Sequence, residues 1–181
     1  MTDRLLKLLT ERSYAKKRVV LASGRESDFF IDCKQTVLTA EGHALVGEAM
    51  WKALQGFAEK PVAVAGVELG GCSLASAVAL ISHQRGAPLD AIYVRKDAKE
   101  HGSKRLLEGD THIADNSNIV VLEDVTTTGG STLKAIEKLR ARNLRVVGVV
   151  AIVDREEGGK DAIVAAGVPF VSLFKRSNFP S

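Results

Sequence analysis

Between residues 119 and 132 the chain reads Ile119-Val120-Val121-Leu122-Glu123-Asp124-Val125-Thr126-Thr127-Thr128-Gly129-Gly130-Ser131-Thr132. Four apolar residues predict a buried strand that two adjacent carboxylates end. A turn of hydroxyls and glycines follows, and a helix starts behind it. The start of such a helix leaves backbone N–H groups without intrahelical partners. Those donors, together with the helix dipole, favour an anion such as phosphate. Gly129 and Gly130 let the backbone approach the anion closely, and Thr126, Thr127, Thr128 and Ser131 add hydroxyl donors. Glu123 and Asp124 repel phosphate, so they suit either the hydroxyls of a ribose or a divalent cation. An ordinary strand-to-helix turn with a Ser/Thr cap is the alternative; the acidic pair on the strand end weighs against it. No Gly-Lys-Ser/Thr follows, so the run is not a Walker A loop.

Three further clusters carry chemistry. Glu68-Leu69-Gly70-Gly71 offers close backbone approach and helix-start donors for a second anion, or is plain turn chemistry. Arg95-Lys96-Asp97-Ala98-Lys99-Glu100-His101-Gly102-Ser103-Lys104-Arg105 holds five positive charges against two negative. Such a run is commonly a solvated loop. Ordering each of its residues costs about 1–2 kcal/mol, and each charge-assisted hydrogen bond returns about 1.5–3 kcal/mol. The segment is therefore expected to stay mobile when empty and to close as a lid over a polyanion. Asp154-Arg155-Glu156-Glu157-Gly158-Gly159 sets an arginine at a strand end, where its planar fork suits a carboxylate; a pairing with Glu156 or Glu157 is the competing reading.

Positioning these clusters requires a particular order of elements. Residues 3–12 predict a helix, and 18–33 two short strands around 23–27. Thr39-Ala40-Glu41-Gly42 opens a helix to about residue 57. Apolar strands are expected at 61–67, 91–95, 119–125 and 146–153, with a last one at 169–173. Helices are expected at 72–84, 131–142 and near 160–166. Strands alternating with helices, the central ones apolar on both faces, give a doubly wound parallel sheet. Ligands sit beyond the carboxyl ends of such strands, so the four turns above should meet at one crevice.

Composition bounds the rest. A chain of 181 residues, 45% hydrophobic, fits a single domain: a hood and N-terminal helix over about 1–40 and an α/β core over about 41–181. A net charge of +3 argues against a general nucleic-acid binder. Cys33 and Cys72 are too few for a disulfide framework and read as small buried hydrophobes. With no leader and no long apolar run, a cytoplasmic protein without membrane contact is expected.

At this point the residues match a family. The 123–131 run resembles the phosphoribosyl-pyrophosphate motif of the type I phosphoribosyltransferases. Val94-Arg95-Lys96-Asp97-Ala98-Lys99-Glu100-His101-Gly102 resembles the catalytic loop of the orotate branch of that family. Ser23-Gly24-Arg25-Glu26-Ser27-Asp28-Phe29-Phe30 resembles its N-terminal hood, and the Asp154-Arg155 turn also fits. The similarity covers nearly the whole chain.

The resemblance implies a type I phosphoribosyltransferase fold, with the central parallel sheet flanked by helices. It implies transfer of a phosphoribosyl group from phosphoribosyl pyrophosphate (PRPP) to orotate in pyrimidine synthesis. PRPP would be held by Arg95, Lys96, Lys99, His101, Glu123, Asp124, Val125, Thr126, Thr127, Thr128, Gly129, Gly130 and Ser131, with help from 68–71. Glu123 and Asp124 would take the ribose hydroxyls. Lys99, His101 and Asp124 would be catalytic. Thr127 and Arg155 would contact orotate, Arg155 on its carboxylate. Mg²⁺ would bind through PRPP rather than through protein ligands. The family works as a homodimer whose lid reaches the partner's site. One departure is Ala22, where members of the branch often carry a basic residue. A purine-type transferase and a non-catalytic regulator with the same fold are the alternatives; a fused decarboxylase is not expected.

Overall fold

A computed structural model of the chain describes residues 2–20, 26–96 and 105–180. Helix α1 (Thr2–Arg12) buries Leu5, Leu8 and Leu9 and leads into an antiparallel hairpin, β1 (Tyr14–Val20) and β2 (Glu26–Ile31). A single turn, α2 (Lys34–Val37), precedes α3 (Ala40–Leu54). The N-cap of α3 is Thr39, whose hydroxyl accepts the Gly42 N–H at 3.1 Å. Beyond it come β3 (Ala63–Val67), α4 (Gly70–Gln84), β4 (Asp90–Val94), β5 (Leu107–Glu108) and β6 (Asn118–Thr126). The chain closes with α5 (Gly130–Ala141), β7 (Arg145–Asp154), α6 (Gly159–Ala165), β8 (Phe170–Lys175) and a 3-10 turn at Arg176–Asn178.

The main sheet has the order β5-β4-β3-β6-β7-β8, parallel throughout except for β5, which runs antiparallel on β4. From β3 the chain steps outward to β4, then crosses back to β6 on the other side. The order of strands therefore reverses between β3 and β6, the place where open α/β sheets bind ligands.

Strand alternation builds a core on each face. Val120 and Leu122 of β6 pack with Met50 of α3 and with Leu74 and Val78 of α4. Their neighbours Ile119 and Val121 pack with Ala135, Ile136 and Leu139 of α5 and Ile163 of α6. The helices thus lie on both faces, as the continuous apolar strands require.

Several boundaries differ from expectation. Strand β6 does not end at the acidic pair: β7 keeps pairing beside it, Glu123 opposite Ala151 and Thr126 opposite Asp154. Helix α4 starts at Gly70, so the two glycines form its first turn rather than a preceding loop. Strand β1 starts at Tyr14. Neither α2 nor β5 was foreseen, because four and two residues are too short to show a period.

Candidate active site

The carboxyl ends of β3, β4 and β6 open onto a cavity of about 520 Å³. Its floor on one side is the loop from Thr126 to Gly129, which hands the chain from β6 to α5. Gly129 is the N-cap of α5 at φ 80°, a left-handed conformation in which a side chain is strained. The Thr126 carbonyl accepts the Arg155 N–H and the Thr127 carbonyl the Gly159 N–H, both at 2.9 Å. The β7 turn therefore braces the loop from outside. Among the described residues, the N–H groups of Thr127, Thr128 and Gly129 donate to no backbone carbonyl. A row of free N–H groups at a helix start is an anion cradle.

The acidic pair lies on two faces. Glu123 follows Ile119 and Val121 to the α5 side, where its Oε2 accepts the Thr132 hydroxyl at 3.0 Å. It is 7% exposed. Burial, and then the charge of Asp124, push the Glu123 carboxyl up to about 8, which favours its protonated form. Asp124 follows Val120 and Leu122 to the α4 side. Its Oδ1 accepts the Val125 N–H at 2.8 Å. A Cβ on Gly70 would stand 2.2 Å from Asp124 Oδ2, so only glycine lets α4 start this close to the carboxylate.

The opposite wall is the turn into α4. The Glu68–Leu69 peptide is cis, and the α4 N-cap, Leu69, has no side-chain hydrogen bond. Glu68 Oε1 accepts the Lys96 N–H at 2.7 Å. Lys138 of α5 donates from Nζ to the carbonyls of Arg95 and Lys96, both at 2.7 Å. These three contacts fix the point where the basic segment leaves β4. Lys34 of α2 enters the cavity from the hood side.

Arg155 lies elsewhere. It is 8% exposed; its Nη2 donates to Ser27 Oγ and to the Phe29 carbonyl, each at 3.0 Å. The same nitrogen stands 3.0 Å from Glu157 Oε1 as an ion pair that lacks hydrogen-bond alignment. Arg155 Nε, Thr126 Oγ1 and both Glu157 oxygens are buried with no hydrogen-bond partner. Unmet buried polar groups of this kind are costly.

The cavity brings together Lys96 and every expected residue of 123–131. Arg95 lines an adjoining recess of about 260 Å³ instead, 3.8 Å from Glu108. Arg155 and its neighbours face the β2 hairpin rather than this cavity. Lys99, His101 and Ala22 lie outside the described residues, as do residues 97–104 of the lid expected over 95–105. Lys34, Thr132 and Lys134 also line the cavity, and Lys138 the adjoining recess, without having been expected from the sequence. Thr132 and Lys134 stand within one turn of the glycines, the one signal that could have found them.

A parallel sheet with a phosphate cradle and an acidic pair at its switch point defines the phosphoribosyltransferase class. The phosphoribosyl transferase domain family matches residues 36–165. The orotate phosphoribosyltransferase of Sorangium cellulosum is 64% identical over 177 residues, 98% of this chain and 92% of that protein. The crystal structure of Mycobacterium tuberculosis orotate phosphoribosyltransferase in complex with Fe(III) dicitrate superposes with a TM-score of 0.82 at 34% identity, covering 98% of this chain and 97% of that one. The same enzyme in complex with PRPP gives 0.79 at 30% identity, with coverages of 98% and 97%. This chain belongs to the phosphoribosyltransferase family and, within it, to the orotate phosphoribosyltransferases.

Proposed function

We infer that the chain transfers the 5-phosphoribosyl group of PRPP to orotate, giving orotidine 5′-phosphate and pyrophosphate, in pyrimidine biosynthesis. The observation that carries the assignment of sites is the single cavity between two helix starts with Asp124 between them. The cradle at 127–131 takes the 5′-phosphate. Asp124, with Glu123 behind it, takes the ribose hydroxyls. The start of α4 takes the pyrophosphate, with Lys96 beside it. Arg155 and Thr127 take orotate, the arginine on its carboxylate through Nε, a buried donor without a hydrogen-bond partner. Arg95, Lys99 and His101 complete the hold on the pyrophosphate, and Lys99 and His101 neutralise its departing oxygens.

Among the described residues no group of three or more acidic, histidine or cysteine side chains is placed to hold a metal. The carboxylates that line the cavity are Glu68, in the turn after β3, and the Glu123–Asp124 pair of β6, a poor cage but a fit for Mg²⁺ held mainly by substrate oxygens. When bound, Mg²⁺ offsets the negative charge that develops on the leaving pyrophosphate. The protein's own contribution is positioning: the braced cradle and the fixed Asp124 hold the ribose still while the two groups at its C1 exchange.

The chain works as a homodimer whose basic segment reaches the partner's site. Leu38, Leu69, Leu80 and Tyr93 support the pairing, since they are large, apolar and 37–73% exposed. Leu69, Ser73, Ser76 and Leu80 recur at helical spacing along α4, beside a recess of about 410 Å³. We read the chain as one domain, because Leu5, Leu9 and Phe29 of the N-terminal part share a core with Met50 and Leu74. No described helix is long and apolar enough to cross a membrane. Two free cysteines suit a reducing cytoplasm.

The test is spectrophotometric: orotate consumption with PRPP and Mg²⁺, with and without chelator. Consumption that chelator abolishes is expected. Folded protein that consumes hypoxanthine or adenine but not orotate would overturn the reading.

A further inference from the structure

Lys34 is a residue that neither the motif nor the basic segment accounts for. It stands on α2 and lines the cavity together with Leu69, Gly70 and Asp124. Its backbone is held on both sides. Cys33 before it is fully buried, with its thiol against the Asp124 carbonyl at 3.9 Å. Thr36 after it is fully buried too, its hydroxyl shared with Ser13 at 2.7 Å and donated to the Leu8 carbonyl at 3.1 Å. The Lys34 backbone is thus fixed in place, while its side chain stays 39% exposed.

Its ammonium is engaged on one side only, by Asp32 Oδ1 at 2.7 Å. The pair is partly exposed, 39% and 24%, and such pairs contribute little to stability. Asp32 also keeps other partners: its carboxylate accepts the Lys34 N–H at 3.2 Å and the Gln35 amide at 3.1 Å. Lys34 can therefore turn from Asp32 to a ligand without leaving a carboxylate stranded. The cavity also holds the carboxylates of Glu68 and Asp124, and its other lysines are Lys96 and Lys134. The helix start at Gly70 supplies partial positive charge but no full one, and a pyrophosphate there meets Asp124 at close range.

We propose that Lys34 is a pyrophosphate-binding residue: its ammonium leaves Asp32 when PRPP enters and bonds the diphosphate oxygens beside Leu69 and Gly70. This rests on the reading of the cavity as the PRPP site. Lys34 screens the leaving group from Asp124, which lets one carboxylate serve the ribose while two phosphates lie next to it.

The experiment uses the full chain and two readouts. Steady-state rates give KM for PRPP and for orotate separately, and calorimetry gives Kd for inorganic pyrophosphate with Mg²⁺. Lys34→Ala and Lys34→Gln are expected to raise KM for PRPP and Kd for pyrophosphate about ten-fold. KM for orotate should stay within about two-fold, and Lys34→Arg should restore most of the loss because it keeps the charge. Asp32→Asn, which frees the ammonium, should leave pyrophosphate binding as tight or tighter. Unchanged pyrophosphate binding in folded Lys34→Ala overturns the proposal. So does an equal loss in Asp32→Asn, which would make the ion pair, not the lysine, the working part. Wild-type protein that binds pyrophosphate but does not consume orotate sinks the functional reading while leaving the Lys34 comparison intact.

Discussion

Replacing Glu123 by Gln tests the acidic pair from the side of stability. Glu123 is 7% exposed and stands next to Asp124, and its carboxyl rises from 4.5 to about 8 on folding. A carboxyl raised in this way holds its proton more tightly in the folded state than in the unfolded one. Stability therefore falls as pH climbs from 4.5 and levels off only above 8. At about 1.4 kcal/mol per pKa unit, carrying Glu123 costs on the order of 1 kcal/mol at pH 5.5 and 4–5 kcal/mol at pH 8.5. Gln has nearly the same shape, carries no charge, and can still accept the Thr132 hydroxyl that now lies 3.0 Å from Oε2. The advantage of Glu123→Gln over wild type should thus widen by about 3 kcal/mol between pH 5.5 and pH 8.5. For a chain of this size that is roughly 6–12 °C in Tm. Urea or thermal unfolding of both proteins at the two pH values measures it. A difference that does not change with pH would refute the reasoning, since it would mean that Glu123 is ionised in the folded protein as easily as in water.

Other expectations follow from single contacts. Gly70→Ala places a Cβ 2.2 Å from Asp124 Oδ2; kcat should drop about ten-fold or more while stability falls by about 1–3 kcal/mol, and unchanged turnover would show that Asp124 need not stay where it is. Arg155→Lys keeps a positive charge for Glu157 but removes the fork, so KM for orotate should rise at least about ten-fold with KM for PRPP nearly unchanged; equal rises would place Arg155 outside the base site. Leu80→Glu puts a charge on the exposed stripe of α4, and light scattering at micromolar concentration should show dimers giving way to monomers; persistent dimers would move the interface to another face.

The central strands were legible because apolar runs such as 119–122 and 146–153 suit strands covered on both faces, as in a sheet flanked by helices. The cradle was legible for a related reason: glycines and hydroxyls directly after such a run have few other uses. What remained hidden depends on contacts distant in sequence. Nothing local distinguishes Glu68 as the acceptor of the Lys96 N–H, or Lys138 as the clasp on Arg95 and Lys96. The acidic pair was expected at the end of β6, and its place inside the strand is set by β7, which keeps pairing to Asp154. Arg155 and Glu157 are two residues apart, so their pairing was readable as an alternative; that both would be buried under the β2 hairpin was not.

The two hydrophobic clusters have a consequence for how the enzyme tolerates change. The cluster under α5 stands behind the phosphate cradle, and the one under α4 stands behind Asp124 and the leaving-group side. In the proposed binding mode one substrate molecule rests on two foundations, built from alternate residues of the same strands. A substitution that loosens Leu139 reaches the ligand by one end, and one that loosens Leu74 reaches it by the other. Because both halves are built on β3, β6 and β7, repacking that moves a strand reaches both ends of the site, while repacking confined to a helix reaches one.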